Sequence, residues 1–189
     1  MEFSFPPGTP WGFDDMEMRL LDGKPPEGFD CGRDEQNRFL YERARRDAKK
    51  GVTVTHLLFI KGVLAAYVTL TMDRLVLGPT EKPKGVSYRV LGAMKIAQLA
   101  VDRRFTGHGL GQYIVSFVVE YAISMRALVG CRYITLDAEQ SVIGWYERIG
   151  FVRNLEEQAA RRQLAADMGR DVDEIPVSMR FDLREPADA

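Results

Sequence analysis

Cysteine is scarce: Cys31 and Cys131 are the only two, and they lie far apart in the chain. Neither belongs to a CxxC pair or a Cys/His cluster, so a disulfide framework and a thiolate metal site are both excluded. Two reduced thiols and a cytoplasmic setting are the expectation. Histidine is equally rare, with His56 and His108 alone, and no metal is expected. Long apolar runs are missing too. Every one is interrupted well short of the roughly 20 residues a membrane span needs, and the N-terminus lacks the basic and apolar segments of a signal peptide. No membrane partner is expected. There is no excess of charge of one sign either: 26 basic against 27 acidic residues leave a net charge of −1. Any polyanion would have to be met by a local patch. Repeats and low-complexity tracts are absent. What remains is 189 residues, 46% hydrophobic and 28% charged, which suits a single globular domain spanning 1–189.

Residues 1–30 are punctuated by Pro6, Pro7, Gly8, Pro10, Gly12, Pro25, Pro26 and Gly28. They read as an extended N-terminal segment with a first strand at "MEMRLL". "CGRDEQNRFLYERARRDAKK" reads as a helix with Asp34 as N-cap and Asn37 three residues on. Its stripe is Phe39, Leu40, Ala44 and Ala48, and Gly51 ends it. "VTVTHLLFI" and "VLAAYVTLT", parted by Lys61 and Gly62, predict a hairpin. A loop covers 74–90. "LGAMKIAQLAV" predicts a long strand. "LGQYIVSFVVEYAISMRAL" predicts a helix with Leu110, Ile114, Phe117, Val118, Tyr121 and Met125 on one face. "RYITLDA", "FVRN" and "IPVSMRFDL" are strands. "SVIGWYERI" is a short helix capped by Ser141 and ended by Gly150. An inserted helix over 155–168 closes at Gly169. The order, an antiparallel hairpin followed by β-α-β-α-β, predicts an α/β domain around one mixed, mostly antiparallel sheet.

The junction "AVDRRFTGHGLGQYIV" carries the chemistry. A strand ends in Arg103 and Arg104, a loop holds Gly107, Gly109 and Gly111, and a helix follows. The first N–H groups of a helix are unpaired and carry partial positive charge, which suits an anion. Glycines let the backbone approach phosphate oxygens closely, and an arginine adds bidentate donors. Two common nucleotide patterns fail on the letters. Gly111 is followed by Gln112 rather than Lys, and neither Gly107 nor Gly109 opens a GxGxxG, because 112 and 114 are Gln112 and Ile114.

Arg104-Phe105-Thr106-Gly107-His108-Gly109 resembles the R/Q-x-x-G-x-G/A loop with which the GNAT superfamily of N-acetyltransferases binds the pyrophosphate of acetyl-CoA. About 40 residues on, "WYERIGF" resembles that superfamily's FYxxxGF signature. The resemblance runs from about Phe29 to Phe151, plus the last strand. It implies a GNAT-type domain with a central β-α-β acetyl-CoA-binding unit flanked by helices. It further implies acetyl transfer to a primary amine by direct attack in a ternary complex. Tyr146 takes the place of the tyrosine that protonates the leaving thiolate. Leu99, Ala100 and Val101 stand where a main-chain N–H meets the acetyl carbonyl. Arg103, Arg104, Phe105, Thr106, Gly107, His108, Gly109, Leu110 and Gly111 form the donor loop, and Ser141 lies at the donor site as well. Asp102, Asp137 and Glu139 are near, yet none is assigned as a base. "FDCGRDEQNRFLYERA" and "LGAMKIAQLAVD" resemble the branch containing toxins of toxin–antitoxin pairs, which acetylate aminoacyl-tRNA, although Gln98 stands where that branch carries arginine. The acceptor stays open between aminoacyl-tRNA, a protein amine and a small amine. A non-catalytic CoA sensor or scaffold, an antitoxin partner and a homodimer are also open. "RARRDAKK", extended by Lys82, Lys84 and Arg89, reads either as a tRNA-contacting patch or as a solvated helix face.

Overall fold

The computed structural model describes residues 4–184. Seven strands form one sheet in the order β1-β2-β3-β4-β5-β7-β6. They are β1 Met16–Leu20, β2 Val54–Ile60, β3 Val63–Val76, β4 Val90–Val101, β5 Tyr133–Ala138, β6 Val152–Arg153 and β7 Val177–Asp182. The helices are α1, which runs over 34–49, α2 Leu110–Arg126, α3 Ile143–Arg148 and α4 Leu155–Asp167. Among the described residues no helix is long and apolar enough to cross a membrane. The expected elements are present, with one clear shift in extent. β3 continues through Arg74 to Val76, where a loop was expected. Exposure still alternates along 71–76, and Leu75 is fully buried, so the strand persists until shortly before Gly78 and Pro79.

Two compact units divide the chain. One holds the chain up to Thr71 with Ile96–Val118; the other holds Met72–Lys95 and the chain from Val119 on. In the first, β1 pairs antiparallel with β2, and β2 with β3. Lys61 and Gly62 have φ of +48° and +79°, as a type I′ hairpin requires at both central positions. Lys61 accepts that conformation while its N–H donates to the Asp15 carbonyl at 2.9 Å. The core gathers Phe29, Phe39, Leu40, Ala44, Leu57, Phe59 and Tyr67. On β2 and β3 the paired Thr55 and Thr69 hydroxyls are buried and satisfy each other at 2.8 Å.

Helix α1 departs from expectation in detail. Arg33, not Asp34, is its N-cap, and no side chain caps it. Asn37 faces backward instead: its Oδ1 accepts the Cys31 N–H at 3.0 Å and its amide donates to Asp30 at 2.7 Å. The competing partner is the 30–32 turn, which offers Asn37 both a donor and an acceptor. The middle, Phe39–Ala44, is a π-turn. Just ahead of it the buried Tyr67 hydroxyl donates to the Gln36 carbonyl at 2.9 Å, and a polar group inserted at a helix carbonyl is a known cause of such a change of step. The π-turn breaks the simple period: Phe39, Leu40 and Ala44 are buried, whereas Ala48 is only half-buried.

In the second unit, β7 pairs antiparallel with both β5 and β6. Leu75, Leu77, Ala93 and Tyr133 form a local core. On α2, Leu110, Ile114 and Val118 are buried as expected, joined by Val115, Val119 and Ala122, whereas Phe117 and Met125 are half-buried and Tyr121 is exposed. The inserted helix α4 has no cap of its own. Its cap arrives from the 77–89 loop. The Glu81 carboxylate accepts the Leu155 and Glu156 N–H groups at 2.9 and 3.0 Å, the Gly78 N–H at 3.1 Å and Arg180 at 2.7 Å. Burial opposes its charge, but these donors outweigh burial and hold the carboxyl below its ordinary range.

Glu81→Ala should therefore lower the unfolding free energy by roughly 2–4 kcal/mol at pH 7, measured by urea denaturation. Because the folded-state pKa is depressed, the gap should be present above pH ~4.5 and close as the pH falls further. Amide exchange at Leu155 and Glu156 should accelerate in the same variant.

Candidate active site

The donor loop belongs to the first unit and is organised by Asp102. This residue is 1% exposed at the end of β4. Its Oδ1 accepts the Arg104 N–H at 2.9 Å and Arg104 Nε at 2.8 Å; its Oδ2 accepts the Asp30 N–H at 2.9 Å and Arg104 Nη2 at 2.9 Å. Burial works against the charge of Asp102, and these hydrogen bonds with the adjacent guanidinium overcome it, so the carboxyl stays below its usual range. One carboxylate thus starts the Arg103–Phe105 turn as its N-cap and ties the 28–30 segment beneath it. Arg104 also reaches the Gly28 carbonyl at 3.1 Å, and Arg103 pairs with Asp30 at 3.3 Å. Gly32 has φ +84°, a conformation that residues with a Cβ rarely adopt, and lies against the Arg103 guanidinium.

Beyond the turn, Gly107 and Gly109 have φ of +82° and +78°, which side chains with a Cβ rarely adopt. Gly109 starts α2, its carbonyl accepting the Tyr113 N–H at 3.0 Å. The N–H groups of Leu110, Gly111 and Gln112 therefore occupy the first turn, where helix geometry provides no partner. Arg103, Arg104, Thr106 and Gly107 are exposed, Phe105, His108, Gly109 and Gly111 half-buried and Leu110 buried. Left-handed glycines, a helix start and two half-exposed guanidinium groups suit a diphosphate. His108 does not point freely to solvent: the Trp11 ring packs edge-on against it at 4.7 Å. On β4, Ala100 is buried and its neighbours Leu99 and Val101 are half-buried, as expected of residues whose contribution is main-chain.

Tyr146 and Ser141 belong to the second unit. Ser141 does not cap the helix. It is exposed within a 3₁₀ turn, Gln140–Val142, and α3 begins after Val142 without a side-chain cap. The C-terminus of α3 explains the spelling of "WYERIGF". Phe151 N–H bonds the Tyr146 carbonyl at 3.0 Å, and Gly150 N–H bonds that of Glu147 at 3.1 Å. With Gly150 at φ +100°, this is a Schellman motif. Its characteristic apolar contact is the Tyr146–Phe151 ring pair, 5.4 Å apart. The glycine and phenylalanine of the signature are thus the helix stop that fixes the tyrosine. Gly150 also fits against Phe181, whose ring a Cβ would meet at 3.0 Å.

The Tyr146 ring is also edge-on to Trp145 at 4.7 Å. Burial, at 9% exposure, pushes its pKa up to about 12. Among the described residues its hydroxyl makes no hydrogen bond, so its proton is not committed elsewhere. The acids near the expected segments are poor bases. Burial opposes the charge of Asp137, but Lys95 at 2.7 Å and Arg161 at 2.5 Å hold it ionised with a lowered pKa; Asp102 is spoken for by Arg104. Among the described residues no group of three or more His, Cys, Asp or Glu is placed to hold a metal ion. Two features of the site escaped sequence reasoning: Asp102 as the organiser of the loop, and Trp11 packed on it. The cluster Phe3, Phe5, Trp11 and Phe13 amid prolines was the available signal for Trp11; Phe3 lies outside the described residues.

Comparison with known proteins identifies the family and the fold. The model of the Acetyltransferase (GNAT) family matches residues 15–151. A crystal structure of a bacterial toxin is similar in fold, with a TM-score of 0.72 and 18% identity over 89% of this chain and 90% of that one. AtaT complexed with acetyl-methionyl-tRNAfMet gives 0.67 and 22%, over 74% and 88%. A mutant AtaT toxin bound to the C-terminus of the antitoxin AtaR and to acetyl-CoA gives 0.67 and 18%, over 90% and 94%. With the family model covering most of the chain, the protein belongs to the acetyltransferase (GNAT) family, whose acetyl donor is acetyl-CoA.

Proposed function

We propose that the protein transfers the acetyl group of acetyl-CoA to the α-amino group of an aminoacyl-tRNA, by direct attack of the amine. The observation that carries the chemical half is the buried, uncommitted phenol of Tyr146, held by a Schellman stop within a GNAT-family chain. Acetyl-CoA supplies an activated thioester carbonyl. The first N–H groups of α2, with Gly107, Gly109 and the loop arginines, hold its diphosphate. A main-chain N–H among Leu99, Ala100 and Val101 receives the carbonyl oxygen. As the amine nitrogen bonds to the carbonyl carbon and the carbon–sulfur bond breaks, Tyr146 gives its proton to sulfur and water takes the proton lost by the amine.

Two observations favour this acceptor. Asp102 and Asp137 are held ionised by cations, so neither is a strong base. An α-amino group, with a pKa near 8, is already partly neutral at physiological pH, whereas a lysine amine near 10.4 is not. The end of α1 is cationic as well: Arg43 and Arg46 share the half-buried Asp47, while Arg45, Lys49 and Lys50 are exposed without an ion-pair partner among the described residues. Such a stretch suits a phosphate backbone. The AtaT neighbours support an aminoacyl-tRNA acceptor and an antitoxin partner by likeness of fold.

Tyr146→Phe should keep acetyl-CoA affinity and lose about 10²–10⁴-fold in turnover, measured by CoA release; unchanged turnover would remove the acid role. Because the folded pKa of the phenol is raised, wild-type turnover should not lose its acid limb until the pH approaches 12, above the value near 10 of a free phenol. With charged tRNA as acceptor, the double variant Arg45→Glu, Lys49→Glu should raise the KM for tRNA and flatten its salt dependence, with the KM for acetyl-CoA unmoved. Acetylation of small amines or lysine peptides but not of charged tRNA would overturn the acceptor.

A further inference from the structure

Residues 5–15 contain no regular element before the 3₁₀ turn at Phe13–Asp15, yet they are built onto the donor loop. Trp11 packs edge-on against His108 with centroids 4.7 Å apart and against Phe105 at 5.4 Å. His108 is the residue between the two left-handed glycines, and Phe105 closes the turn that Asp102 organises. Nearby, Phe5 and Phe13 pack on each other at 4.9 Å and on Tyr113, in the first turns of α2, at 6.2 and 6.1 Å. The segment is moored at its other end by the β2–β3 hairpin. Lys61 donates from its backbone to the Asp15 carbonyl at 2.9 Å and from Nζ to the Pro10 carbonyl at 3.3 Å. It thus runs as a strap from a hairpin tip to the loop. Trp11 Nε1 is buried and has no acceptor among the described residues, so ring packing, not a hydrogen bond, holds the indole in place.

A loop with glycines on both sides of His108 has wide backbone freedom, and ordering it around a ligand costs affinity. A side chain that already holds His108 and Phe105 removes part of that cost before the ligand arrives. We infer that Trp11 is a positioning residue for the acetyl donor: the strap holds the Gly107–Gly109 loop in its diphosphate-binding shape. This rests on the reading that the loop receives the diphosphate of acetyl-CoA. It gives the proline-rich N-terminal segment a role in donor affinity and none in the chemical step, so its signature is a KM effect without a kcat effect.

The test uses the full chain and titrates acetyl-CoA by calorimetry and steady-state kinetics. Trp11→Ala should weaken binding and raise the KM for acetyl-CoA about tenfold, as two lost ring contacts predict, with kcat at saturating donor and the unfolding midpoint near wild type. Trp11→Phe should restore most of the affinity, because packing and not the indole N–H is what matters. In a Trp145→Phe background, where Trp11 is the remaining tryptophan, acetyl-CoA should shift indole emission with the calorimetric midpoint. Wild-type affinity in Trp11→Ala, a Phe variant as weak as Ala, or emission indifferent to saturating acetyl-CoA would each overturn the inference. Gly109→Val separates it from the reading beneath. If that variant loses acetyl-CoA while Trp11→Ala does not, only the strap inference fails. If Gly109→Val binds normally, the loop assignment itself fails.

Discussion

A buried carboxylate has to find donors for both oxygens, and Asp102 finds four, all from two short stretches of chain. That demand shapes the donor loop. It stops β4, starts the Arg103–Phe105 turn, draws the 28–30 segment underneath and fixes the Arg104 guanidinium. Gly32, beside Arg103, makes the left-handed turn at φ +84°. The two arginines are consequently held by Asp102 and Asp30 while remaining about half-exposed. A guanidinium has five donors in a fixed fork, so one edge can serve the protein while the other meets an anion. This arrangement orders the arginines in advance, which is the condition under which charged groups bind well.

The tyrosine is fixed by a different device. A Schellman stop needs a left-handed residue at its end and an apolar contact across it. Gly150 supplies the first and the Tyr146–Phe151 pair the second. The same burial that places the ring raises the phenol's pKa, keeping the hydroxyl protonated at any working pH. Position and protonation state thus have one cause. The inserted helix shows the same economy on a larger scale. It lacks its own cap, and Glu81 from a distant loop caps it while pairing with Arg180. That one side chain orders both loop and helix.

Much of this was legible in the letters. Two β-branched, aromatic-rich runs parted by the short Lys61-Gly62 gap located the hairpin, and Gly62 takes up positive φ there without a Cβ to strain it. Glycines marked the turn before α2 and the stop after α3 because a left-handed backbone is a local need that glycine meets. The errors also have local readings behind them. Asp34 looked like a cap, but the 30–32 turn claimed Asn37 and Asp34 became the first helical residue, with Arg33 as N-cap. The apolar stripe of α1 was extended to Ala48 because no regular helical period anticipates the π-turn at Phe39–Ala44. Ser141 read as a cap because a serine before an apolar run usually is one; here the chain makes a 3₁₀ turn first.

The amino-acid sequence by itself determined the α/β order of elements, the left-handed glycine positions and the family-type donor loop, since these follow from backbone conformations that neighbouring residues dictate. Tertiary structure alone decided which carboxylates are spent on arginines, which residue caps α4 and what packs on His108. Apart from the neighbouring Asp102 and Arg104, those partners are far apart in the chain: 24 residues for Asp137 and Arg161 and 99 for Glu81 and Arg180, with Trp11 and His108 almost as distant. A side chain's partner at that range depends on what the folded chain brings within hydrogen-bond or van der Waals reach, and no local pattern encodes it.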